Sequence, residues 1–166
     1  MARWTTAVLA LALAGATSPA MGQTGFPPHS AYGESDDENM QACRVTHASA
    51  IAAIEGTLRS FNIRTVTHTS ETLSRDVILA YVNINALPVK QNGVNTGSCA
   101  YSTTYELYDN TTFTNPVTKA AHFGKVMYCN RGGLLVWSAA TAQTQLNKDL
   151  RSYVTECVKE YNESKN

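Results

Sequence analysis

Cys43, Cys99, Cys129 and Cys157 are the four cysteines of this 166-residue chain, and they restrict its folding choices first. No two of them lie closer than 28 residues. That spacing leaves no CxxC redox pair and no zinc-ribbon pattern. An even, widely spaced set in an exported chain reads as two disulfides, for which three pairings exist. Export is read from the amino terminus. Met1-Ala2-Arg3 is short and basic, Thr5 to Ala16 is apolar, and Thr17 to Gly22 is small-residue-rich with a proline. Residues 1–22 therefore read as a signal peptide. Its apolar run is too short to span a bilayer, and no cysteine at the cleavage region could accept a lipid. The expectation is an exported protein, periplasmic or secreted, with no membrane span and no lipid anchor.

Charge narrows the partners. Lys plus Arg equals Asp plus Glu at 13 each. Such a balance argues against a protein built to bind nucleic acid or an anionic membrane, which would need a basic excess. A hydrophobic fraction of 43% excludes a disordered chain. The mature chain is long enough for one core and short for two. The expected organisation is a signal peptide over 1–22, a flexible tail over 23–34 and a single α+β domain over 35–162.

Periodicity supplies the elements. Gln23 to Glu34 carries two prolines, two glycines and no period, as a tail does. Ser35 followed by Glu38 fits a capping box, and the acidic run between them suits a helix start. Cys43, Ala50, Ile51, Ile54, Leu58 and Phe61 then recur at helical steps, so one amphipathic helix is expected over Met40 to Phe61. Asn62 to His68 alternates as a short edge strand. Asp76 to Val89 is apolar on both faces at its start, which marks a central strand, and Pro88 should end it. Asn92-Gly93 signals a tight reversal. Ser98 to Tyr108 alternates cleanly, with Cys99, Tyr101, Thr103, Tyr105 and Leu107 on one face. Asp109 to His122 has no period and reads as a loop. Phe123 to Trp137 is either one bulged strand or a small hairpin. Leu146, Leu150, Tyr153, Val154, Cys157 and Tyr161 form the stripe of a last helix.

The order α-β-β-β-(β)-α resolves most economically as a two-layer sandwich. Both helices pack on one face of a three- to four-stranded antiparallel sheet. With Cys43 and Cys157 on helix faces and Cys99 and Cys129 on strands, periodicity favours Cys43–Cys99 and Cys129–Cys157. Each bridge would clip a helix to the sheet, contributing roughly 3–4 kcal/mol in the chain-entropy model.

Catalytic and ligand motifs are sparse. His29, His47, His68 and His122 form no HxH, HxxxH or Cys/His cluster, so no metal site is expected. There is no GxSxG elbow, no Walker loop and no GxGxxG, and cysteines in disulfides leave no thiolate. No catalytic, cofactor-binding or metal-ligating residue is assigned. An enzyme would need two of His47, His68, His122, Glu106 and Asp76 to converge. Asn110-Thr111-Thr112 and Asn162-Glu163-Ser164 match the glycosylation sequon. The face opposite Cys99 has a different composition: Ser102, Thr104, Glu106 and Tyr108, with Tyr81 on the neighbouring strand. If no layer covers it, this Tyr/Thr-rich surface is the candidate partner surface.

Several segments carry a resemblance. Cys43 before a helix, Leu58-Arg59-Ser60-Phe61-Asn62-Ile63, Ala80 to Leu87, Gly97-Ser98-Cys99-Ala100 and Leu150 to Asn162 resemble a group of small exported bacterial proteins without an assigned activity. Cys129 and Cys157 depart from that pattern. The helix–strands–helix order is also similar to envelope accessory domains, such as the TolB amino-terminal domain and the lipopolysaccharide-assembly lipoprotein. That resemblance implies binding and assembly without catalytic residues. The expected function is a non-catalytic binding or accessory protein of the cell envelope, whose partner is another envelope or secreted protein. The alternative is an inhibitor or immunity-type protein acting on a hydrolase through Lys90–Gly97 and Asp109–His122.

Overall fold

The computed structural model describes residues 26–74 and 76–164. The signal-peptide reading of residues 1–22 lies outside the described residues. The elements run β1 (His29–Gly33), α1 (Glu38–Ala42), α2 (His47–Ser60), a 3-10 turn (Ser70–Ser74), β2 (Ile78–Gln91), β3 (Val94–Thr114), β4 (Ala121–Ser138) and α3 (Ala142–Glu163). The strands form one sheet in the order β1-β2-β3-β4. Ile54, Leu58, Leu150, Val154, Val82, Tyr105 and Leu107 meet in one core between the helices and one sheet face. The α+β class and the helices-on-one-face layering hold.

The sheet is mixed, not antiparallel, and the chain order differs from the expected one. The segment read as a flexible tail supplies β1, which pairs in parallel with β2 from His29↔Ile78 to Gly33↔Val82. Its backbone groups are shared on two sides. The Ile78 N–H donates to the Pro28 carbonyl at 2.9 Å, and the His29 N–H donates to the Arg64 carbonyl at 2.8 Å. His29 and Ser30 are fully buried as a result. Five residues carry too little periodicity to announce a strand, and a parallel partner is remote in sequence. Asn62–His68, expected as an edge strand, contributes only the isolated bridge His29↔Thr65.

The single helix expected over Met40–Phe61 is two. Asp37, not Ser35, caps α1, accepting from the Met40 N–H at 2.7 Å. Cys43 caps the end of α1 instead of lying within one continuous helix. Arg44 follows at φ 58°, the Val45 N–H donates to the Met40 carbonyl, and the Arg44 N–H donates to the Gln41 carbonyl. This is a Schellman stop, in which a left-handed residue lets the chain satisfy the last carbonyls. The same device closes α2, with Asn62 at φ 59° and Ile63 bonded back to Leu58. Asp36 serves α2: one carboxylate oxygen accepts from the His47 N–H at 2.7 Å and from His47 Nδ1 at 3.0 Å.

The β2–β3 reversal is the Asn92-Gly93 pair, both at positive φ, flanked by Gln91↔Val94. Pro88 does not end β2; the strand continues past a register shift between Pro88 and Lys90. Asp109–His122, expected as a loop, is the distal part of a β3–β4 hairpin paired out to Thr114↔Ala121. Residues 123–137 belong to one strand, with Tyr128 as the extra residue where Leu107↔Cys129 passes to Tyr108↔Met127. Gly132 is required within it, because a Cβ there would sit 2.4 Å from the Thr103 carbonyl oxygen. Cys43 is bonded to Cys99 and Cys129 to Cys157, so α1 is tied to β3 and β4 to α3.

Candidate functional site

The side of the sheet away from the helices is built from alternate residues of β2, β3 and β4. Register places Tyr81, Glu106 and Asn130 in one row, then Asn83, Thr104 and Gly132. Asn85, Ser102 and Leu134 form the next row, then Leu87, Ala100 and Val136. The strand period of two puts all of them on one surface. Its two ends are chemically different.

At the first end the surface is covered. The connector between α2 and β2 brings Val66 and Val77 over Leu79, Tyr108, Tyr32 and Tyr81 in a second, smaller apolar cluster. His68 stacks on Tyr32 with ring centroids 4.1 Å apart and planes within 8°. His68 Nδ1 lies 3.4 Å from both the Ser30 and Thr72 hydroxyls. Burial lowers the His68 pKa below its ordinary value. The Tyr32 and Tyr108 hydroxyls are hydrogen-bonded to each other. Burial, then the Tyr108 hydroxyl, pushes the Tyr32 phenol well above the ordinary range. The Tyr81 hydroxyl donates to Glu34 at 2.7 Å. Burial first, and then the Glu34 hydrogen bond, push Tyr81 up to about 12. Glu106 pairs with Lys125, whose ammonium also lies 3.9 Å from the Tyr108 ring centroid. The Tyr32 and Tyr81 phenols stay protonated at neutral pH, so they serve as hydrogen-bond donors and packing rather than as bases.

At the second end the surface is open. Leu87, Leu134 and Val136 are exposed, Leu134 to 76%, around Ala100, Asn85 and Ser102. Asn85, Leu87, Ala100, Ser102 and Leu134 line a shallow depression there. Exposed branched apolar side chains grouped on one strand face are a surface that excludes water when a partner lies on it.

The candidate residues divide between these ends. Tyr108 is buried and Tyr81 half-buried in the covered end, and Glu106 stands at its border. Thr104 is half-buried and Ser102 is exposed toward the open end. Sequence reasoning missed Leu87, Leu134 and Val136. The alternation of Leu134 and Val136 with Leu135 and Trp137 carried the signal, once residues 123–137 are taken as one strand. The histidines do not converge. His47 is held by Asp36 beneath α2, His68 stacks on Tyr32, and His122 stacks on Phe113 in the distal hairpin. Asp76 comes near Asp109, whose carboxyl is raised chiefly by burial and only secondarily by Asp76. Among the described residues, no three His, Cys, Asp or Glu side chains come together as a metal set, and no helix is long and apolar enough to cross a membrane.

No protein-family model matches the chain, and no curated protein does. Among solved structures it is similar to a PelC dodecamer from Paraburkholderia phytofirmans, at 12% identity and a TM-score of 0.41, over 81% of this chain and 88% of that one.

Proposed function

We propose that this is a non-catalytic, exported binding or accessory protein of the cell envelope, and that its partner seats on the open end of the sheet. The observation that carries the reading is the cluster Leu87, Leu134 and Val136, exposed on one strand face beside Asn85 and Ser102. An apolar centre with a polar margin is the usual anatomy of a protein interface. Two helix-to-sheet disulfides keep that surface rigid, so little ordering is lost on binding. The two bridges favour an oxidising compartment outside the cytoplasm.

The test is affinity capture with the oxidised chain in extract of its own host, with Leu87→Ser/Leu134→Ser/Val136→Ser as control. These side chains are exposed, so the control keeps its core. A saturable protein partner is expected, with affinity at least about tenfold weaker for the control. A partner that binds both proteins equally removes the open face from the reading, and no saturable partner removes the reading itself.

A further inference from the structure

Beyond Leu79↔Tyr108 the β3 strand has no β2 neighbour, while β3 and β4 continue together for six rungs, from Asp109↔Val126 to Thr114↔Ala121. At the ordinary antiparallel rise this two-stranded arm extends about 20 Å past the shared sheet. Such a ribbon is marginal on its own in water, because it has no layer to pack on. This one is nonetheless apolar toward its end. Phe113 and Phe123 are exposed, and Val117, in the turn, is 86% exposed.

Three observations say what chemistry suits the arm. Phe113 and Phe123 belong to opposite faces: Phe113 shares its rung with His122, while Phe123 pairs with Thr112 one rung back. A protein groove or a second copy would cover one face and leave the other phenylalanine in water, whereas a lipid phase surrounds both. The charge toward the tip is positive. Asp109 stands on the arm's first rung and Lys125 pairs with Glu106, so from Thr111 to Gly124 the one charged residue is Lys119. The chain's zero net charge is an average that hides this placement. The turn also arrives with its amides already bonded. Asn115 Oδ1 accepts from the Val117 and Thr118 N–H groups, and the Asn115 carbonyl accepts from Lys119. The Asn115 N–H donates to the Ala120 carbonyl, the Ala120 N–H to the Thr118 hydroxyl, and Pro116 has none to offer. The turn therefore strands no N–H donor on leaving bulk water, while the open edges of the two-stranded arm keep their backbone groups in the hydrated headgroup region.

We propose that the β3–β4 arm is a membrane-docking finger, whose Phe113–Val117–Phe123 tip enters the headgroup region of an anionic bilayer under the attraction of Lys119. Aromatic side chains favour that interface, and basic residues near it add salt-sensitive attraction. The finger is a surface separate from the open sheet end, so either can fail without the other.

The test uses the full oxidised chain, co-sedimented with vesicles of phosphatidylcholine alone or with phosphatidylglycerol. Deuterium exchange of residues 110–124, with and without vesicles, reads the arm itself independently of any lipid affinity elsewhere. Phosphatidylglycerol vesicles are expected to bind the chain, slow exchange in the arm and lose both effects in high salt. Phe113→Ser/Val117→Ser/Phe123→Ser, which touches no core residue, is expected to bind at least about tenfold more weakly. Lys119→Glu is expected to abolish the preference for phosphatidylglycerol. Arm exchange that vesicles leave unchanged overturns the proposal. So does a concentration-dependent dimer that the triple substitution abolishes, which would make a second copy the occupant.

Discussion

A single imidazole records how the covered end of the sheet responds to acid. His68 lies face to face on Tyr32, its Nδ1 near two hydroxyls, and burial disfavours its charged form. The unfolded chain takes up a proton at His68 near pH 6.5, whereas the folded chain resists until a lower pH. Between those values the unfolded state binds more protons, so stability rises with pH and is lost on acidification. The Tyr32 and Tyr81 phenols, raised by burial, do not titrate in that window. Tm is therefore expected to fall from about pH 7 to about pH 5, and to fall less steeply in His68→Gln. Thermal unfolding across that range checks it; equal slopes would show that the stacked imidazole contributes nothing to the pH response.

Helix ends are the instructive elements. α1 and α2 close with the same hydrogen-bond pattern, yet the left-handed position is Asn62 in one and Arg44 in the other. Asparagine tolerates that conformation, whereas arginine suffers a Cβ clash of about 1 kcal/mol. Arg44→Gly is accordingly expected to stabilise the fold by roughly 0.5–1 kcal/mol, read as a higher denaturant midpoint at unchanged slope. The α1 stop was not legible in the sequence, because hydrophobic periodicity runs straight through it: Cys43 and Ala50 keep helical phase across a non-helical joint, whereas α2 ends where the periodicity does, at Phe61. The distal hairpin was illegible for the opposite reason. Thr111, Thr112, Thr114 and Asn115 show no apolar alternation, since neither face of the arm packs on a core, and alternation is a signature of one-sided burial. Asn92-Gly93 was legible because a two-residue reversal with both residues at positive φ demands that chemistry locally.

Across the whole molecule the two bridges tie both ends of the helical layer to the sheet. Cys43–Cys99 closes a loop of 56 residues and Cys129–Cys157 one of 28. In the chain-entropy model the longer contributes about 4 kcal/mol and the shorter about half a kcal/mol less. Cys43→Ala/Cys99→Ala is therefore expected to lower stability more than Cys129→Ala/Cys157→Ala. Equilibrium denaturation under non-reducing conditions compares them. The reverse order would show that native packing around the bridges, not loop length, sets their worth.

Local pattern was sufficient for the helical stripe of α3, the central position of β2, the inward face of β3 and the tight β2–β3 turn. Each depends on residues close in sequence and on burial of one face. Long-range pairing settled the rest. His29–Gly33 became a strand only because the edge of β2 offered parallel partners some fifty residues away. The connector folded over Tyr32, Tyr81 and Tyr108, which withdrew part of the candidate surface and left Leu87, Leu134 and Val136 as its open part. The pattern of side chains along a strand names its two faces, but which face is covered depends on where distant segments come to rest.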